Sequence, residues 1–528
     1  MKKILSLLAL LLVALSGAAQ RGNNMYGVTD PELINKLVMA QVYISNLYVD
    51  TVDQKKLVEN AINGMLENLD PHSAYSNPED TKKLNEPLAG NFEGIGVQFN
   101  MLEDTLVVLQ TIAQGPSERA GIVAGDRIVT VDGDPIAGVK MDRDSIMHRL
   151  RGPKDTKVRL GIVRRGVGDV LYFTVKRDKI PLNTIDATYM LRPGVGYIRL
   201  ERFGSTSGEE VKKAIQTLQK QGMKSLVLDL EDNGGGYLGA ASAIASQFLE
   251  RGQLVVYTEG LSQRKEVFNA EGGGLFTEGR LIVLVDEYTA SAAEIVSGAV
   301  QDHDRGTIIG RRTFGKGLVQ RPIDLPDGSM IRLTTSHYYT PSGRCIQKPY
   351  KLGDKKSYSE DINNRFTHGE LSCLDSIHLD STKVFRTLRD ARPVYGGGGI
   401  MPDIFVPLDT MVFTKYLKDI RRRNIIVPEM LRFCDQNRKD IRKTYKTYDD
   451  FAARYQVPQA LTDTIMAQAE REGVKPADEA EREKTLPDLQ WLLKSLVIYN
   501  LWDRTEYYRF INERNDIIKA ALKELGLE

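Results

Sequence analysis

Three short stretches carry residue types that can do chemistry. In Thr289-Ala290-Ser291-Ala292-Ala293-Glu294, small residues follow a strand-like run and precede a helical one, so Ser291 stands where a helix begins. A Ser there often only caps the helix. As a nucleophile it needs a base within reach. In Thr313-Phe314-Gly315-Lys316-Gly317-Leu318-Val319-Gln320, Lys316 sits between two glycines, flanked by Phe314 and Leu318. Burial disfavours an ammonium, so such a Lys can shed its proton near neutral pH and serve a Ser as general base. A Lys snorkelling out of a turn is the ordinary alternative. In Asp229-Leu230-Glu231-Asp232-Asn233-Gly234-Gly235-Gly236, a glycine-rich turn between strand and helix presents backbone N–H groups. Such a turn suits a phosphate or a developing oxyanion, or is merely a tight turn. It lacks the Lys-Ser/Thr of a P-loop and the spacing of a dinucleotide fingerprint.

Other chemistries find less support. The chain has six His and three Cys, with no H-E-x-x-H pair, so a His-based metal site is not expected. The G-x-S-x-G elbow of common Ser-His-Asp hydrolases is missing. His303 competes as a base for Ser291. It lies near the far end of the helix that Ser291 starts, and about ten residues at ~1.5 Å each put it about 15 Å away. Lys plus Arg number 71 against 70 Asp plus Glu, which argues against a dedicated nucleic-acid binder.

These stretches need elements to position them. At 528 residues the chain should hold about three or four domains. Residues 28–88 read as helical, with Leu33, Leu37, Ala40, Ile44 and Leu47 recurring at three and four. Residues 90–178 form a small β-rich α+β module with one helix, 142–150. Buried strands alternate with helices over 194–340, so an α/β layer is expected, spanning 182–345 plus 393–408. Residues 346–392 read as an irregular, polar insertion and 409–528 as a helical tail. Residues 1–19 combine Lys2 and Lys3, an apolar run from Ile4 to Leu15, and small residues up to Ala19. That is a secretory leader by layout, cleaved near Ala19-Gln20, and the run is too short to span a bilayer. The mature protein is therefore expected to be exported, most simply to a periplasm, with no membrane span.

The Ser and Lys stretches together resemble the carboxyl-terminal processing peptidases, or tail-specific proteases. In that family a Ser-Lys dyad has its members twenty-five positions apart, as Ser291 and Lys316 are. Matching segments include Leu69-Asp70-Pro71-His72, the turn Asn233 to Gly236, and Gly397 to Asp403. The resemblance implies Ser291 as nucleophile, Lys316 as base and Gln320 as its support. It implies an oxyanion hole from Gly236 (or Gly235) and Ala292, and no cofactor or metal. It implies a multidomain α/β and α+β chain, with a core like that of crotonase and Clp protease. The β-rich module is similar to the family's PDZ domain. Gly94, Ile95, Gly96 and Val97 would hold a terminal carboxylate through backbone N–H groups. Ile95, Val97, Ile146 and Leu150 would line the pocket for the last side chain. The implied activity is cleavage of unfolded or C-terminally exposed proteins. The tail would offer a contact for an adaptor or a second copy. A PDZ adaptor without catalysis and a thioester-using crotonase relative are the rival readings. The first fits poorly with Ser291, Lys316 and Gln320 occurring together, the second with the PDZ module and leader.

Overall fold

The computed structural model describes residues 30–409 and 413–527. The leader expected at 1–19 lies outside the described residues. At the centre is a six-stranded sheet. Val195–Leu200, Ser225–Asp229, Arg280–Val285, Thr307–Gly310 and Ile404–Phe405 run parallel in that order, with Ile185–Arg192 antiparallel at one edge. Leu228 lies opposite Val283, and Asp229 opposite Leu284. The two chain segments leaving these strands therefore emerge side by side, at the carboxyl edge where parallel sheets place ligands.

The strands are apolar at nearly every position because both faces of the sheet are covered. Leu226, Leu228, Val283 and Val285 face a layer of helices, Ser207–Lys220, Leu238–Ala245 and Ala292–Asp302. The alternate residues Val227, Ile282 and Leu284 face the helix Asp516–Glu524 at the end of the tail. Its Ile517, Ile518 and Leu522 are each at most 3% exposed. Burying side chains of this size contributes roughly 1.5–3 kcal/mol apiece. The tail thus completes the core sheet as its outer layer.

A second, antiparallel sheet stands beside the first. Met330–Tyr339 pairs with Leu318–Asp324 and with Ala74–Ser76, and further along with Leu254–Gly260. It fixes the exit from the Lys316 turn, because Leu318–Asp324 starts two residues beyond that lysine. The β-rich module hangs on a two-stranded stem, Asn91–Gly94 with Asp178–Pro181, through which the chain enters and leaves. Its five main strands wrap a helix Arg143–Leu150, capped by Asp142, which accepts the Ser145 N–H at 2.9 Å. The helix Pro31–Leu47 has no buried residue, so the stripe of Leu33, Leu37 and Ile44 meets solvent.

One expectation fails plainly. The insertion contains a regular helix, Lys355–Thr367. Its inward residues include Tyr358, Asp361 and Arg365, which dock by hydrogen bonds and ring contacts. No apolar period marks it, so hydrophobic patterning cannot find it. Among the described residues no helix is long and apolar enough to cross a membrane.

Candidate active site

Ser291 occupies the residue before the helix Ala292–Asp302, with φ +58° and ψ −116°. A non-glycine residue in that region is strained. The same kind of sharp strand-to-helix turn raises the serine of a nucleophile elbow, reached here without its glycine signature. The turn is tied down on several sides. The Glu294 carboxylate accepts the Ser291 N–H at 2.9 Å. The Ala290 N–H donates to the Asn233 carbonyl at 2.9 Å, and Tyr338 Oη donates to the Ser291 carbonyl at 3.3 Å.

The glycine-rich turn packs directly on Ser291. A Cβ placed on Gly235 would lie 2.8 Å from both Ser291 Cβ and the Ala292 nitrogen, so the approach requires glycine. Gly235 is at φ +93° and Gly236 at φ +149°. The Gly235 N–H donates to Asn233 Oδ1 at 2.8 Å and is spent inside the turn. This corrects its inclusion as an oxyanion donor. The N–H groups of Gly236 and Ala292 find no acceptor among the described residues. Ala292 is the first residue of its helix, where the amide has no intrahelical partner and the dipole favours negative charge.

Lys316 opens on the same cleft as Ser291, a space of about 370 Å³. Burial, and then the charge of Arg332, pull its ammonium down from 10.5 to about 8, against the opposing carboxylates of Glu294 and Asp70. No hydrogen bond joins Lys316 Nζ to Ser291 Oγ in this structure, and such contacts often tighten only around a substrate.

Glu294 links the two turns. Its Oε2 accepts the N–H of Ser291 and, at 2.8 Å, that of Lys316. Its Oε1 accepts the Gly315 N–H at 2.7 Å and the Thr313 hydroxyl. Burial pushes this carboxyl above its ordinary value, while the four donors work the other way. The sequence alone gives Glu294 no chemical role. Its one local clue is its place three residues after a helix-starting Ser, a capping-box signal.

The insertion helix braces the lysine turn from behind. Buried Arg365 donates to the carbonyls of Thr313 at 2.8 Å and Phe314 at 3.1 Å. Lys348 Nζ lies over the rings of Phe314 and Tyr358, 3.9 and 4.1 Å from their centroids. Tyr358 also meets His72, with Oη 2.9 Å from Nε2. Burial and then the Lys316 charge hold the His72 imidazole down to about 4, so it stays neutral.

Gln320 is placed differently from expectation. Its Nε2 donates to Thr334 Oγ1 and to the Leu318 carbonyl, both at 3.2 Å, and no hydrogen bond reaches Lys316. Thr334 in turn donates to Asp70 Oδ1 at 2.8 Å. Although burial opposes it, hydrogen bonds from Ser73 and Thr334 hold the Asp70 carboxyl below its usual range. Gln320 therefore joins a polar network flanking the lysine. His303 is at the far end of the helix, with Nε2 2.7 Å from the Leu254 carbonyl, so it donates there and is removed as a base.

In the β-rich module Ile95, Ile146 and Leu150 are at most 3% exposed and belong to the core, with partly buried Val97 packed against them. Gly94, Ile95 and Gly96 are buried, and the N–H groups of Ile95 and Gly96 find no acceptor among the described residues. Buried unpaired amides are uncommon and suit an incoming acceptor.

Comparison with known proteins agrees on the parts. Residues 194–354 match peptidase family S41, and residues 94–184 match a PDZ domain. Residues 14–80 match the N-terminal domain of the activating protease CtpB, and 416–503 a family of unknown function. The carboxy-terminal-processing protease of Bartonella bacilliformis is 40% identical over 305 residues, covering 57% of this chain and 69% of that protein. The carboxy-terminal processing protease CtpA of Bacillus subtilis is 36% identical over 321 residues, 61% of this chain and 68% of that one. Among solved structures, the photosystem II D1 C-terminal processing protease aligns at 28% identity over 72% of this chain and 94% of its own, with a TM-score of 0.36. With an S41 core, a PDZ domain and helical regions on either side, the chain belongs to the carboxy-terminal processing serine proteases of family S41.

Proposed function

We propose that Ser291 is the nucleophile and Lys316 its general base, and that this is an exported enzyme that cuts proteins near exposed C-termini. The observation that carries the dyad is the shared cleft. It holds a strained serine at a helix N-terminus and a lysine drawn down to about 8. Neutral Lys316 takes the Ser291 proton as Oγ attacks the peptide carbonyl carbon. The oxyanion meets the N–H groups of Gly236 and Ala292, each such donor being worth roughly 3–4 kcal/mol. The lysine ammonium then gives its proton to the leaving amine. Water, deprotonated by the same lysine, releases the acyl group from Ser291. Gln320 acts with Thr334 and Asp70 to hold the wall beside the lysine.

The PDZ domain takes the substrate terminus in this reading. Its support is the pair of buried free amides at Ile95 and Gly96, which fits carboxylate binding in a backbone nest. Export to a periplasm rests on the composition of residues 1–19. Sequencing the N-terminus of the cell-made protein tests it, and an intact Met1 on all material would refute it.

The test of the dyad is digestion of an unfolded protein by wild type, Ser291→Ala and Lys316→Ala. Loss of cleavage in both variants is expected. If Lys316→Ala cuts as fast as wild type, the base is misassigned.

A further inference from the structure

Arg332 is a cation in the catalytic cleft that the dyad chemistry leaves without a task. It lies on the strand Met330–Tyr339, between Pro322 on one neighbouring strand and Ala74 on the other. Strand alternation puts Met330, Arg332 and Thr334 on one face. Thr334 binds Gln320 and Asp70, and both Met330 and Arg332 line the space that holds Ser291 and Lys316. Much of the rest of that wall is apolar, including Leu84, Leu88, Leu238, Ile295 and Leu318.

Arg332 is exposed at the mouth of this cleft, whereas several arginines nearer the core are matched to carboxylates. Arg199 pairs with Asp229, Arg311 with Glu287 and Arg344 with Asp302, at 2.6–2.8 Å. The Arg332 backbone pairs within the sheet, but its guanidinium makes no hydrogen bond or ion pair with any described residue. A guanidinium offers five N–H donors in a planar fork that fits a carboxylate. Facing a largely apolar cleft, it is set to receive one from outside the chain. Its charge reaches the dyad, since Arg332 is the largest influence after burial on the lowered Lys316 ammonium.

We propose that Arg332 is a substrate-binding residue that pairs with a carboxylate of the peptide beside the scissile bond. This rests on the dyad reading above. Either an acidic side chain or the free C-terminus of a short leaving fragment supplies that chemistry. It would bias cleavage toward bonds close to negative charge and give the cleft a specificity separate from that of the PDZ domain.

The experiment uses the full-length enzyme and two peptide sets. In the first, a long peptide keeps one fixed free C-terminus, and Glu or Gln is placed within a few residues of the scissile bond. In the second, the peptide ends just beyond that bond as a free acid or as an amide. Each is cleaved by wild type, Arg332→Gln and Arg332→Lys, with Ser291→Ala as the blank. Wild type is expected to favour the carboxylate form in at least one set by about tenfold or more in kcat/KM, as suits a charged hydrogen bond. Arg332→Gln should reduce that ratio to near one, and Arg332→Lys should keep part of it. The responding set tells whether side chain or terminus is the ligand. A preference supplied by the PDZ domain would survive Arg332→Gln and would overturn the proposal. So would equal cleavage of charged and neutral peptides by wild type, which needs no variant to fold. Cleavage by Ser291→Ala would instead refute the dyad, so the two failures are distinguishable.

Discussion

The turn that carries Lys316 is held by buried hydrogen bonds, whereas several of the contacts that seat the PDZ domain are exposed or half-buried ion pairs. Around the lysine, Glu294 accepts four donors and Arg365 caps two carbonyls, with both side chains at most 3% exposed. Around the PDZ domain, His148 meets Glu79, Arg151 meets Glu86, and Lys83 meets Asp144, all against the helix Pro78–Ala89. On its other side Arg127 meets Asp435 at 2.7 Å, and Arg432 meets Glu103, both from the tail helix Ile426–Thr444. The exposed ones among them, Lys83 with Asp144 and Arg432 with Glu103, contribute about 0–1 kcal/mol each and weaken with salt, and the half-buried pairs of Arg127 and Arg151 somewhat more. Losing a partner of a buried carboxylate costs far more. The difference separates two tasks. The chemistry is preorganised, and the seat of the recognition domain is adjustable. The helix Pro78–Ala89 touches both, because Leu84 and Leu88 line the catalytic cleft while Glu79 and Glu86 reach the PDZ domain.

Three perturbations sharpen this contrast. The largest effect belongs to Glu294→Gln. The amide keeps one acceptor oxygen and turns donors toward N–H groups that need an acceptor. Stability to urea should fall by roughly 3 kcal/mol or more. Peptide cleavage should fall at least about a hundredfold, as expected when a catalytic geometry loosens. A variant with wild-type rate and stability would show that the two turns are held by something else.

Lys316→Met comes next and moves activity and stability in opposite directions. The folded lysine titrates near 8 against an ordinary 10.5, so the unfolded chain binds more protons between those values. Stability of wild type therefore rises with pH across that window, and below it the charged lysine costs about 1–3 kcal/mol. Removing it should abolish cleavage and raise the urea midpoint at neutral pH. The advantage should vanish by about pH 11. Destabilisation at neutral pH would mean that the lysine is not under strain from burial.

The smallest effect is expected from Asp435→Ala, which frees Arg127 on the PDZ side. The stability loss should be about 1 kcal/mol and shrink in high salt. Cleavage of a short peptide should be unchanged, while limited proteolysis between the PDZ domain and the tail should speed up. A loss of several kcal/mol would mean the seat is as rigid as the cleft.

What the sequence makes legible follows from where the interactions are local. Ser291 and Lys316 stand in short motifs with a fixed spacing, and the strands around them read as buried runs. The sheet face that the tail covers is implied by Val227, Ile282 and Leu284, which need a partner, but nothing in the strands names Ile517 or Leu522 as that partner. Glu294 and Arg332 gain their meaning from residues far along the chain. Gln320 sits where expected along the strand, yet it turns to Thr334 because the register with Met330–Tyr339 places that hydroxyl opposite. Ile146 and Leu150 show the limit of apolar pattern, since core and pocket wall look alike in sequence.

Whether Lys316 is the base for Ser291 is read most directly from the pH dependence of Ser291 acylation. A single turnover of a peptide ester by wild type and by Lys316→Ala would be followed from about pH 6 to 10. The wild-type rate should rise through an apparent pKa about 8. In Lys316→Ala that rise should disappear and the rate drop by roughly 10²–10⁴-fold. A rise centred near 6.5, the range of an ordinary histidine, that persists in Lys316→Ala would contradict that role for Lys316.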